Sequence, residues 1–266
     1  MPAEVAVEQR LGFIGCGQLG RALLAGWLEA GVVDRAGVCI AARASAAETA
    51  AAFGVRAVSS AEVVAESAVV VVAVKPAQVG AALAGLSFHA HQLVISVAAG
   101  VNTAALAAAC GPAEVVRAMP NVACRVGQGA TLLFGQGASV ERARVLFEAV
   151  GHVEVLEKEA LFHVGTALVG SGPGFVALVI EALADGAVAA GLPRAQALRL
   201  AARVVAGTGT LAAREGIHPA LLKDAVASPG GTTMQGLRAL ERGGLRTALL
   251  EAVLAATARS VELEGA

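Results

Sequence analysis

Apolar positions along this chain follow two rhythms. In the first half, short continuous apolar runs at residues 11–14, 38–41, 68–74, 93–97 and 115–118 read as buried strands. Between them, at 18–30, 46–53, 61–66, 76–83 and 103–109, apolar residues recur at helical spacing. Val69-Val70-Val71-Val72 is apolar on both faces of a strand, as a central parallel strand requires. Strand–helix alternation through short turns predicts an α/β fold with a right-handed, doubly wound, mostly parallel sheet. Residues 131–134 and 152–156 add strands near its edge.

Beyond about Glu157 the strand pattern stops. Residues 175–190, 194–215, 219–227 and 245–263 are helical in period, punctuated by Gly191-Leu192-Pro193 and His218-Pro219. The stretch 175–180 is apolar nearly all round, which predicts a helix buried on every side. A helical region of about a hundred residues has little interior of its own to hide such a helix. Burial against a second copy of the chain is the natural solution.

Composition narrows the partners. The 266 residues are 56% apolar and only 15% charged, with net charge −1 and no block of like charges. Nucleic acid and anionic membrane surfaces are therefore not expected partners. Four cysteines without a Cys-x-x-Cys spacing favour a reduced, cytoplasmic chain, and the first ten residues lack the apolar core of a signal peptide. No charged residue falls between Pro76 and Ala113, but glycines, histidines, Ser87, Gln92 and Asn102 interrupt that run. It reads as buried strands with alanine-rich helices rather than a membrane span.

The chemistry concentrates at the two ends. Gly15-Cys16-Gly17-Gln18-Leu19-Gly20 is a GxGxxG that follows an apolar strand and opens a helix, the context of a dinucleotide site. Gly15 allows the tight turn, Gly17 admits a pyrophosphate to the backbone, and Gly20 permits close helix–sheet packing. After the second strand no acid is placed to hold a ribose 2′-hydroxyl; Arg43 and Ser45 stand there instead. They suit a 2′-phosphate, so NADP is expected and NAD remains possible; Arg43 also fits an ordinary helix start. Ala73, Val74, Lys75 and Pro76 end the most apolar strand, where ligands sit in an open α/β sheet, although Lys75 also suits a plain surface position. Asn121 closes another strand as a nicotinamide contact or as a turn residue. Ser60 and Ala98 complete the expected cofactor set.

Near the other end, Ser228-Pro229-Gly230-Gly231-Thr232-Thr233 runs into a helical pattern and points backbone N–H groups and hydroxyls at one spot, as a small carboxylate requires. Glu181 and Asp185 share one face of an apolar helix and must meet a partner or line a cavity. The five histidines lack metal-ligand spacing, and there is neither a Gly-x-Ser-x-Gly elbow nor a Walker lysine. Hydride transfer is the chemistry that remains.

These motifs, in this order, resemble the pyrroline-5-carboxylate reductases. The likeness runs through Phe13-Ile14-Gly15-Cys16-Gly17, Ala73-Val74-Lys75-Pro76, Arg117-Ala118-Met119-Pro120-Asn121, Gly170-Ser171-Gly172-Pro173 and, most specifically, Ser228-Pro229-Gly230-Gly231-Thr232-Thr233. The resemblance implies a Rossmann-type domain over 1–157 and an all-α substrate-binding and dimerisation domain over 158–266. It implies reduction of 1-pyrroline-5-carboxylate to L-proline with NAD(P)H, the last step of proline biosynthesis, by a homodimer that can assemble into a decamer. Thr233 and Ser228 would be catalytic, and Gly230, Gly231, Thr232 and Glu181 would bind substrate. The chain departs from the family where Val169 and Gly174-Phe175 replace the usual Ser and Ala-Tyr around Gly-Ser-Gly-Pro. The competing readings are another NADP-dependent imine or hydroxy-acid reductase of this architecture and a non-catalytic NADP sensor.

Overall fold

A computed structural model describes residues 10–42 and 46–264. Six strands run parallel: β1 (Leu11–Ile14), β2 (Val38–Ala41), β3 (Arg56–Ala57), β4 (Val69–Val72), β5 (Leu93–Ser96) and β6 (Glu114–Pro120). β7 (Gly129–Gly135) then pairs antiparallel to β6, and β8 (Gly151–Val155) parallel to β7. The order β3-β2-β1-β4-β5-β6-β7-β8 reverses direction between β1 and β4, the expected doubly wound topology.

The helices sort onto two faces because the strands are apolar on both. Val69 and Val71 face one cluster, with Phe13 and Trp27; Val70 and Val72 face the other, with Ile14 and Leu106. On the first face lie α1 (Gln18–Glu29) and α6 (Ala138–Glu148), where the Trp27 indole packs edge-on against Phe147 and donates its N–H to the Leu146 carbonyl at 2.7 Å. On the second lie α3 (Ser60–Glu66), α4 (Val79–Leu83) and α5 (Thr103–Cys110). A short α2 (Ala46–Phe53) precedes β3.

Several local features of this unit differ from the sequence expectation. β3 is two exposed residues long, too short to show a period. α6 was not anticipated, although Val140, Ala143, Leu146 and Phe147 form a buried stripe along it. The stretch 76–83 splits into a tight 3₁₀ turn, Pro76–Gln78, and α4.

After β8 the chain forms α7 (Phe162–Gly165), a π-helical turn (Thr166–Gly170), α8 (Gly172–Ala189), α9 (Arg194–Glu215), α10 (Pro219–Ala225), α11 (Thr232–Arg242) and α12 (Leu245–Glu264). Two compact units result: one runs through Ser171 and regains the chain from Ala256, and the other spans Gly172–Ala255. In the second unit α8 meets α9 through Ala184, Ala197 and Ala201. The expected all-round burial of α8 is not met within one chain, where Leu178 is 66% exposed. Only the small-residue stripe facing α9 is covered. The run 159–189 is long and apolar enough to cross a membrane by length and composition, a signature that an interface between copies shares.

Among the described residues of the first unit, one charged group is buried. Arg117 on β6 is 1% exposed, stacks over the Phe162 ring at 4.5 Å, and donates from Nη1 to Glu159 at 3.1 Å. Its Nε and Nη2 have no hydrogen-bond partner among the described residues, so Glu159 carries much of its compensation. The same carboxylate accepts the Thr103 N–H and hydroxyl, each at 2.8 Å, at the start of α5. Glu159→Ala is expected to destabilise the protein by about 3 kcal/mol, because it strands a buried guanidinium. Urea unfolding followed by fluorescence of Trp27, the sole tryptophan, reads this directly; an unchanged midpoint would deny the pair its role.

Candidate active site

The strand–helix corner after β1 is shaped by its glycines. Gly15 sits at φ 82°, and a Cβ there would lie 2.9 Å from the Ala73 carbonyl. A Cβ on Gly17 would meet nothing within 4 Å, so its backbone faces open space. Gly20 packs against Ala73 and Cys16, its would-be Cβ 3.4 Å from each. Gly17 is the N-cap of α1, with no side-chain cap and no acid in the first turn. The helix's first N–H groups and its positive end therefore point unblocked toward that space, which fits a dinucleotide pyrophosphate.

A cavity of about 630 Å³ opens at this corner, lined by Gly15, Cys16, Gly17, Ser60, Ala73, Val74 and Lys75. Of the expected cofactor residues, these seven come together. Gln18 and Leu19 lie in the first turn of α1, Gly20 packs beneath it, and Pro76 starts the 3₁₀ turn. Ala98 is buried beyond β5, away from the cavity wall. The Asn121 side chain is engaged locally, its Oδ1 accepting the N–H groups of Ala123 at 3.1 Å and Ala130 at 3.4 Å. Arg43 and Ser45 lie outside the described residues.

The sequence reading missed Ala42, Ser59 and Gln78, which also line the cavity. Ser59 was findable, because Ser59-x-x-Glu62 is a capping-box pattern. Its Oγ accepts the Glu62 N–H at 3.2 Å and donates to the Glu62 carboxylate at 2.7 Å. Hydrogen bonds from the Ser59 backbone and hydroxyl hold that carboxyl below its ordinary range. Among the described residues, Lys75, exposed at the mouth, is the one cation lining the cavity. Burial pushes the Cys16 thiol up to about 11, against a weaker opposing pull from Arg21. The thiol is thus neutral at physiological pH and adds no negative charge where phosphates would sit.

In the second unit, Gly230 at φ 70° turns the chain so that the Gly231 N–H reaches the Ser228 carbonyl at 3.0 Å. Gly231 caps α11, which again has no side-chain cap and no acid in its first turn. Thr232 and Thr233 occupy that turn, Thr233 half-buried and Thr232 exposed. The loop has the form of an anion cradle. Glu181 lines a shallow recess between α8 and α9 beside Leu178 and Leu198. Asp185, one turn on, is taken up by an ion pair with Arg194.

Two family profiles match. Residues 159–263 fit one described as pyrroline-5-carboxylate reductase dimerisation, and residues 10–100 fit one described as NADP oxidoreductase, coenzyme F420-dependent. A curated relative, the pyrroline-5-carboxylate reductase of Arabidopsis thaliana, is 41% identical over 99% of this chain and 97% of its own length. That of Thermus thermophilus is 44% identical, covering 96% of this chain and 98% of the relative. The Plasmodium falciparum pyrroline carboxylate reductase, solved with NADP bound, superposes with a TM-score of 0.87 at 28% identity, covering 97% of this chain and 98% of that one.

The raised thiol gives a direct test. At pH 8, an alkylating reagent should leave Cys16 unmodified in the native protein, because the reactive thiolate appears only as pH approaches 11. Mass analysis that found Cys16 labelled under those conditions would show an open, activated thiol instead.

Proposed function

This chain belongs to the pyrroline-5-carboxylate reductase family, and on that premise we propose that it reduces 1-pyrroline-5-carboxylate to L-proline with NADPH. The activity is an oxidoreductase step and completes proline biosynthesis. The observation that carries it is the crevice at the β1–β4 reversal, where Gly17 opens the uncapped start of α1 onto the cavity. Division by task falls at 157/158, with cofactor binding in 1–157 and substrate binding and dimerisation in 158–266.

When bound, the reduced dinucleotide supplies a hydride to the imine carbon. The chain's residues hold and orient. Gly15, Gly17 and the N–H groups of Gln18 and Leu19 receive the pyrophosphate, Gly20 keeps α1 close to the sheet, and Lys75 adds a positive charge at the rim. Ser60, Ala73, Val74 and Pro76 shape the wall, while Ala98 and Asn121 border the nicotinamide half. Arg43 and Ser45 take the 2′-phosphate, which favours NADPH over NADH. In the second unit Gly230, Gly231 and Thr232 hold the substrate carboxylate, Glu181 contributes to substrate binding, and Ser228 and Thr233 serve the reaction itself. The carbon–nitrogen double bond becomes a single bond as hydride adds to carbon and the nitrogen takes a proton; Thr233 hydrogen-bonds at that nitrogen. Orientation and electrostatics supply the acceleration, so no strong base is needed.

The apolar surface of α8 is assigned to an interface between two copies, a dimer of the kind that can assemble further into a decamer, in the cytoplasm and away from membranes and nucleic acids. The composition of that surface and the dimerisation profile over 159–263 support the pairing of two copies.

Oxidation of NADPH should depend on added pyrroline-5-carboxylate and run faster than with NADH. Good NADPH binding without turnover on that substrate would sink the proposal. Thr233→Ala should lower turnover by about tenfold or more while NADPH affinity holds; wild-type turnover would remove Thr233 from the mechanism. Gly17→Val, whose side chain enters open space, should cost no more than about 1 kcal/mol of stability, the penalty of a poorer helix cap. Its NADPH affinity should fall by about tenfold or more, because the backbone can no longer approach the pyrophosphate. Titration calorimetry and thermal unfolding separate the two effects, and tight binding by the variant would move the pyrophosphate elsewhere.

A further inference from the structure

The last turns of α12 end a chain of polar contacts that reaches the loop after β5, and hydride transfer as described above does not use it. Glu264 lies 3.0 Å from His163 Nε2 and 3.9 Å from Arg117 Nη1. His163 Nδ1 is 3.2 Å from the Ser260 hydroxyl, one turn back on α12. Arg117 passes the contact to Glu159, and Glu159 binds both the N–H and the hydroxyl of Thr103. At the same place the backbone of α12 touches the loop directly. A Cβ on Gly100, at φ 72°, would lie 3.2 Å from the Leu263 carbonyl oxygen.

Arg117 and the His163 ring face two carboxylates, Glu159 and Glu264, while Arg259 and Glu262 pair with each other on the exposed side of α12. Arg117 is the buried member, 1% exposed, and the carboxylates are one-fifth to one-quarter exposed. The cluster is thus a tie between the end of α12 and the 98–103 loop, with a buried guanidinium as its centre.

That loop occupies a particular place in a doubly wound sheet. The adenine half of a dinucleotide lies over β1 to β3, and the nicotinamide half lies over β4 to β6. Residues 98–103 follow β5 at the carboxyl edge of the second half. We infer that Glu264, held by His163 and acting through Arg117 and Glu159, is a positioning residue that fixes this loop against the nicotinamide ring. The inference rests on NADPH being the cofactor.

The test uses the full chain with Glu264→Gln, His163→Leu and His163→Gln, the last keeping a polar group that can serve Glu264. Titration calorimetry would measure binding of NADPH and of adenosine 2′,5′-bisphosphate, which has the 2′-phosphate but no nicotinamide. Glu264→Gln and His163→Leu should weaken NADPH by about three- to tenfold, with kcat falling alongside, and leave the fragment's affinity unchanged. His163→Gln should recover most of the loss. Equal weakening of both ligands, or unchanged affinities with only a lower unfolding midpoint, would overturn the inference and leave a purely structural tie. The affinity comparison decides the point even if the wild-type protein leaves pyrroline-5-carboxylate unreduced, so the two failures are told apart.

Discussion

A parallel strand with valine at four consecutive positions must be covered on both faces, and that constraint organises the first unit. Val69 and Val71 need helices on one side, Val70 and Val72 on the other. Parallel neighbours can be joined only by crossovers, and right-handed crossovers starting in both directions from the middle must part company somewhere. They part between β1 and β4. The gap left at the carboxyl end of those strands is where the corner at Gly15 opens and where the cavity lies. The binding crevice is therefore a consequence of double-sided burial rather than an addition to it.

Burial is asymmetric between the units. The first hides its apolar residues against its own sheet and can tolerate one buried cation, Arg117, because Glu159 and an aromatic face meet it. The second has no sheet. Its helices cover one another along alanine stripes, and leucines such as Leu178, Leu200 and Leu254 stay more than half exposed in a single chain. An apolar surface of that extent is costly in water and stable only when another surface covers it. This is why a helix that looked buried all round from its sequence is exposed in one copy.

The legibility of the chain follows the same division. Strands and helices that bury a continuous or regularly spaced apolar face could be read locally, as with β1, β2, α2 and α9. β3 could not, because Arg56 and Ala57 are exposed and carry no pattern. At the site, the GxGxxG corner was legible because each glycine answers a local need. Ala42 and Gln78 were not, since they reach the cavity through tertiary folding and carry no chemical mark of their own. The position of Asn121 at a strand end suits two roles equally, and only the folded chain shows its side-chain oxygen engaged by a turn. The tie at Arg117 was beyond reach, because its members at 117, 159, 163 and 264 meet only once the sheet and the last helix are in place.

The helix starts show what distinguishes the two proposed anion sites from ordinary structure. α3 and α5 are closed by Ser59 and Asn102, whose side chains accept from the first turn. α6 has a glycine cap but carries Glu141 in its first turn, which answers the same positive end. α1 and α11 have neither device, which is true also of α4 and α9, but only α1 and α11 of these four begin at a glycine cap that follows a positive-φ glycine. Forgoing a Ser, Thr, Asn or Asp cap in favour of glycine costs a few tenths of a kcal/mol, and leaving out the acid forgoes a similar amount. The residues given up are the ones that would occupy the space and charge of an incoming anion. At the proposed sites, a phosphate at α1 and a carboxylate at α11 would restore the missing partners, so binding would regain at both places what the fold leaves unmade.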